Sequence, residues 1–239
     1  MSALASILVG TPVAAIADVL AVQRAIDAAL PPSDGVACFN KLYLAVTSNV
    51  RAAEQQGGTF ADVPFLSALD VAFGNLYFAA LDALEKGAPP PRAWAPLFAA
   101  RARTDVAPLQ FALAGMNAHI NRDLPVGLVS TFAELGQIMA RPSIQAGDFD
   151  KVNDVLATTE QQTAANYFTP LMKTLARAFD GVDDVIANWS VREARSAAWV
   201  NGAALWRLRG EPALANDYLG ALDGMVGFAG RGLLVSTAA

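Results

Sequence analysis

The chain has 239 residues, 54% of them hydrophobic and only 16% charged, with a mean hydropathy of +0.34. It is long enough to bury a large core without staples, and its single Cys38 excludes an intrachain disulfide. A net charge of −5, with 17 basic residues scattered among 22 acidic ones, excludes a Lys/Arg stripe able to displace phosphate counterions, and with it a nucleic-acid partner.

Apolar spacing is helical throughout, and no period-2 run is flanked by a hairpin turn. We therefore expect an all-α chain, residues 1–239 forming one domain of about eight or nine helices around a buried central helix. The N-terminal run ALASILVGTPVAAIADVLAV is interrupted by Pro12 and Asp18, and no Lys or Arg precedes it, so it fits neither a spanning helix nor a signal peptide. The expectation is a cytoplasmic protein with no membrane partner. Thr11 followed by Pro12 reads as a helix start, with Val19, Val22, Ile26 and Leu30 as its apolar stripe and Pro31-Pro32 as its end. A second helix is expected from about Gly35 to Gln56, stopped by Gly57-Gly58, and a third over 62–86, ended by the proline-rich EKGAPPPRAW. A short helix near Ala95 to Arg103 precedes one from about Val106 to Asn121 and another from Leu124 to Met139. After the loop ARPSIQAGDFD, long helices are expected near 149–178, 182–209 and 213–229, with GMVGFAGRG as a frayed terminus.

The segment GMNAHINRDLP, 115–125, concentrates the only histidine, two asparagines and an aspartate in an otherwise apolar stretch. On a helical wheel Leu109, Leu113, Met116 and Ile120 fall within about 60° of one another, the core stripe. His119 and Asp123 lie one turn apart on one flank, Asn117 and Asn121 on the other. Such side chains, when buried, need partners, because an unpaired amide or imidazole costs about 1–3 kcal/mol. One reading is structural: Asp123 caps the helix at LPVGL, Asn121 helps end the preceding one, and His119 donates across the core. The other is chemical: His119 and Asp123 converge on a pocket as a base with its orienting carboxylate, or as two ligands of a single metal ion.

Asp70, Gly74 and Tyr77 share a face of the third helix and could form a cleft wall; Asn75 points elsewhere. Arg192, Arg195, Trp199 and Trp206 recur at helical spacing, as a cation–π wall or as ordinary packing would. Asp148, Asp150 and Asn153 stand where helix capping is the default explanation. One histidine excludes a di-iron carboxylate bundle, HD-type phosphohydrolases and three-zinc helical hydrolases. DDVIAN (183–188) and NDVLATTEQ (153–161) lack terpene-synthase metal spacing, and no nucleotide, flavin or haem motif is present.

The strings FNKLYLAVTSNV (39–50), LDVAFGNLYFAALDA (69–83), PRAW (91–94), GMNAHINRDLP, DFDKVNDVL and REARSAAW together resemble a family of uncharacterised bacterial proteins, a domain of unknown function. The resemblance covers about 35–207 and is most specific at the Asn-Ala-His-Ile-Asn-x-Asp-Leu core. It implies that Asp70, Asn75, Tyr77, Asn117, His119, Asn121, Asp123 and Asn153 belong to a shared pattern, and supplies no reaction.

Two functions stay open. In the first, an enzyme hydrolyses, cyclises or isomerises a small apolar molecule in specialised metabolism; His119, Asp123, Asp70 and Tyr77 do the chemistry, while Asn117, Asn121, Asn75, Arg195 and Trp199 hold the ligand. In the second, a non-catalytic small-molecule-binding or scaffold protein uses the same side chains as a buried network. The apolar composition suits an enclosed cavity and a homo-oligomer interface equally; a helical partner in an obligate complex is a third outcome.

Overall fold

The computed structural model describes residues 2–163 and 191–236, and every regular element among them is helical. The parts of the expected helices over 149–178 and 182–209 that run through 164–190, and DDVIAN, lie outside the described residues. The helices are α1 (Ala3–Leu8), α2 (Ile16–Ala29), α3 (Gly35–Gln56), α4 (Val63–Glu85), α5 (Ala95–Ala100), α6 (Pro108–Ala118), a π-helical turn (His119–Asp123), α7 (Leu124–Glu134), α8 (Ile144–Thr163), α9 (Val191–Leu208) and α10 (Pro212–Leu233).

Local chemistry explains most boundaries. Asp34 caps α3, its carboxylate accepting from the Val36 N–H at 2.8 Å while Arg101 grips it from across the fold. Gly57 and Gly58, at φ 71° and 79°, end that helix in the left-handed region that favours glycine. Asp62 caps α4 by accepting from the Phe65 N–H at 3.0 Å. The N-terminal expectation needs correcting: Thr11-Pro12 lies between α1 and α2, and α2 begins only at Ile16. Asn75 explains why that stretch is ordered without being helical, since its side-chain amide closes both onto the Val13 N–H and onto the Val13 carbonyl.

The central element is a rod made of α6, the π turn and α7. Every residue from Leu109 to Ala118 is buried. α3 and α10 pack on α6, α4 and α9 pack on α7, and α8 crosses α3 and α4. Apolar side chains from all these helices join in one cluster.

A helix break was expected near Asn121; instead the helix runs on. Pro125 has no N–H to give the Asn121 carbonyl, and its ring would collide with that carbonyl in an ordinary α-helix. The chain absorbs the conflict by widening, so that the Leu124 N–H reaches back five residues to the His119 carbonyl. Two later segments are also more helical than expected. α8 starts at Ile144, placing Asp148 and Asp150 inside the helix, and GMVGFAGRG is continuous α10. Gly227 and Gly230 form a docking face: a Cβ on Gly227 would come 2.4 Å from the Arg92 carbonyl oxygen.

By length and composition α4 is the one described helix that could cross a membrane. It packs against α1, α2, α7 and α8 and contributes Phe65, Leu69, Phe78 and Leu81 to the core, which a core helix of a folded domain does equally well.

Candidate functional site

The wide turn brings His119 and Asp123 together at the centre of the protein. Asp123 is wholly buried, and its Oδ2 accepts from the Trp94 indole N–H at 2.9 Å and from His119 Nδ1 at 3.1 Å. Its Oδ1 accepts from Arg122 Nη1 at 2.8 Å. A capping role for Asp123 is thereby corrected: it makes no cap hydrogen bond, and its carboxylate instead turns inward onto three side-chain donors.

Because a carboxylate only accepts, Nδ1 must carry the imidazole hydrogen, which leaves Nε2 of the neutral ring as a bare lone pair. Burial pulls the His119 pKa below its ordinary value, and Asp123 opposes the shift without being its largest cause. The ring lies flat on Phe73, centroids 3.4 Å apart at 6°, with the Tyr43 ring inclined to it at 67° and its centroid 4.4 Å away. Nε2 is buried and has no hydrogen-bond partner among the described residues.

Beside it is a cavity of about 50 Å³ between α3, α4, the rod, α8 and α9. It has room for a few non-hydrogen atoms, well below the roughly 300 Å³ at which pockets for drug-sized ligands begin. Its walls are mostly Val, Leu, Ile, Met and Phe, with His119, Asp70, Arg195, Tyr43 and Thr47 as the polar exceptions.

Asp70 Oδ2 is likewise buried with no partner among the described residues. Burial and then the nearby Glu54 carboxylate push the Asp70 pKa up to about 7, against the pull of Arg195 and Arg51. Glu54 is itself buried and tied to Arg51 at 3.0 Å and to the Ser67 hydroxyl. Arg195 donates from Nε to Asn153 Oδ1 at 3.0 Å and from Nη2 to the Phe149 carbonyl at 2.8 Å, and its Nη1 makes no hydrogen bond to a described residue. Desolvation lowers its pKa to about 10, with Asp70 and Asp150 holding it up.

The remaining residues singled out from the sequence lie elsewhere. Tyr77 shares a helix face with Asp70 but does not line the cavity; it packs on Phe39 and Trp94, and its buried hydroxyl is unpaired among the described residues. Asn121 donates to Asn117 Oδ1 at 3.1 Å, and Asn117 donates to the Val226 carbonyl at 2.9 Å, so this pair fastens the rod to α10. Asn75 holds the Val13 segment. Trp199 stacks under Arg141 at 4.5 Å and Arg195 over Phe149 at 4.1 Å, so the expected Arg/Trp stripe breaks up into separate pairs. Asp148 does not cap its own helix; it accepts from the Ala61 and Asp62 N–H groups at the start of α4.

Sequence reasoning missed Trp94, Tyr43, Phe73 and Glu54 as contributors. Trp94 ends the PRAW string and Tyr43 sits in FNKLY, but neither spacing reveals which distant side chain it meets. As for a metal, His119 and Asp123 bond to each other rather than converge on a third point. Among the described residues no group of three His, Cys, Asp or Glu side chains comes together.

A family model described as a family of unknown function (DUF5995) matches residues 16–236. No curated protein and no solved structure matches the chain.

Proposed function

Since the chain belongs to this family of unknown function, we propose its role from the site itself: a general acid–base enzyme that moves a proton within a small, largely apolar molecule. One observation carries the reading. His119 and Asp70, each with a buried side-chain atom that has no partner among the described residues, line the same apolar cavity. Buried polar groups are nearly always satisfied, so two orphans in one cavity call for a ligand.

Their chemistry is matched. His119 Nε2 is an unprotonated base held in one tautomer by Asp123, itself fixed by Trp94 and Arg122. Asp70, with a pKa of about 7, carries a proton on about half of molecules at neutral pH and can give it up. Arg195 supplies fixed positive charge for a developing oxyanion. In an isomerisation the carbon acid loses its proton to Nε2, electron density passes to the carbonyl oxygen facing Arg195, and the Asp70 acid returns a proton elsewhere on the same molecule; after product leaves, His119 gives its proton to water and Asp70 takes one up, which restores both groups. An apolar cavity of about 50 Å³ favours this over hydrolysis, which needs space for a water beside the substrate.

The test is proton–deuterium exchange at carbon, followed by NMR in D2O with small apolar ketones and aldehydes. The parent is expected to exchange α-protons, and His119→Ala and Asp70→Asn to lose that exchange by about 10²-fold or more. Exchange equal in the parent and both variants overturns the proposal.

A non-catalytic reading is favoured by a different observation, the three donors closed around the fully buried Asp123. It predicts that His119→Ala and Asp123→Ala each lose about 2 kcal/mol of stability and no activity. Any exchange activity that disappears with intact stability in Asp70→Asn rejects it.

A further inference from the structure

The exposed face of α10 has a pattern that the site does not explain. Leu214, Met225 and Phe228 are 55%, 64% and 73% exposed. Together with half-buried Tyr218 and the small, exposed Ala221 and Gly232, they recur at alternating spacings of four and three residues. On the wheel the stripe lies opposite the face formed by Leu222, Val226, Gly227 and Gly230, which docks on the rod. Such spacing is the seam of a helix pair, not of a solvated helix.

We propose that this face is a two-fold homodimer interface in which α10 pairs antiparallel with α10 of a second copy. Two independent features select the same register. The first is size: antiparallel pairing about the midpoint of the stripe sets Leu214 against Gly232, Ala221 against Met225 and Tyr218 against Phe228, so that large side chains meet small ones at four of its six layers. The second is charge. Asp217 and Arg231 flank the stripe on the same side, two heptads apart, and are both exposed. Neither has an ion-pair partner among the described residues; Arg231 only rests on Phe228, 5.7 Å from its ring. In that same register Asp217 of each copy faces Arg231 of the other, twice, by symmetry. A parallel pair would instead leave the two copies of each charge on opposite sides of the seam, with neither facing an opposite charge. Helix α10, 22 residues and about 33 Å long, presents this seam over most of its length.

Sedimentation of the full chain over a concentration series tests the interface. The expected result is a species of about 50 kDa, twice the 25.0 kDa of one chain. Met225→Glu, at an exposed position, should return it to the single-chain mass with an unchanged circular dichroism spectrum and a melting temperature that no longer depends on protein concentration. Asp217→Arg alone and Arg231→Asp alone should each raise the dimer Kd by about tenfold or more, since each turns two attractive contacts into repulsive ones. The doubly reversed chain should recover the parent Kd. A parent that stays at the single-chain mass at the highest concentration, a dimer indifferent to Met225→Glu, or a double reversal that fails to restore pairing each overturns the proposal.

Discussion

Replacing Asp123 with asparagine keeps the shape of the side chain and removes one acceptor from a fully buried group. Oδ2 now serves both the Trp94 indole and His119 Nδ1, while Oδ1 serves Arg122. An amide cannot satisfy both sides. With its oxygen toward Trp94 and His119, its NH2 faces the Arg122 guanidinium and a charge-assisted bond worth about 1.5–3 kcal/mol is lost. Turned the other way, the NH2 confronts the indole N–H, and an orphaned buried donor costs about 1–3 kcal/mol, even if His119 switches tautomer to accept. Asp223, 3.6 Å from Arg122, softens the first arrangement. The expected loss is about 2–3 kcal/mol. Urea unfolding followed by far-UV circular dichroism should show the midpoint falling by about 1 M at unchanged slope. A midpoint within about 0.3 M of the parent would refute the assignment of Asp123 as the keystone of this network.

The other predictions concern the cavity and its walls. The Asp70 pKa is raised on folding, so above the unfolded value near 3.8 the folded state retains a proton that the unfolded chain has lost; the stability this group contributes falls as pH rises from about 4 to about 7, and the stability of the parent relative to Asp70→Asn should fall over that range. His119 is shifted the opposite way: its depressed folded pKa means stability present above the unfolded value near 6.5 and lost as pH falls, so His119→Gln should flatten the acid side of the same stability–pH curve. Gly115→Ala drives a Cβ to 2.4 Å from the fully buried Phe39 ring, and denaturant melts should register a loss of about 1–3 kcal/mol or more. Gly227→Ala, meeting the Arg92 backbone carbonyl rather than a movable side chain, should push α10 away from the Arg92-Ala93 segment, seen as faster amide exchange in the 212–233 helix than in the parent.

Helical spacing carried a good deal of the fold. The wheel through 109–123 sets His119 with Asp123 and Asn117 with Asn121, and both pairs are hydrogen-bonded. It could not show that Pro125 would be absorbed by a wider turn, because proline signals a helix start and a helix conflict with the same letter. Asp70 and Tyr77 share a face yet stand two turns, about 10.5 Å, apart along the axis, too far for one small cavity. A wheel discards the axial coordinate. The Asp70 acid owes its raised pKa first to burial among several helices and then to Glu54 on another helix, and Asp123 owes its position to an indole 29 residues earlier; neither encounter leaves a period in the chain. The Gly-rich end of α10 was misread for a related reason, since glycine weakens a helix by propensity and permits one by close packing.

The π turn also sets what kinds of genetic change this protein can absorb. Between His119 and Asp123 the chain carries one residue more than an α-helix would use, and the surplus sets the rotation of everything that follows. Losing a single codon there would hand Pro125 back to an ordinary helix and swing α7 by about 100° about its axis, turning Leu128 and Phe132 away from the neighbours they now bury against. Exchanging one side chain for another leaves the count intact. In this stretch the number of residues is therefore under tighter constraint than their identity at any position other than His119 and Asp123, and descendants of this chain should vary in letters here long before they vary in length.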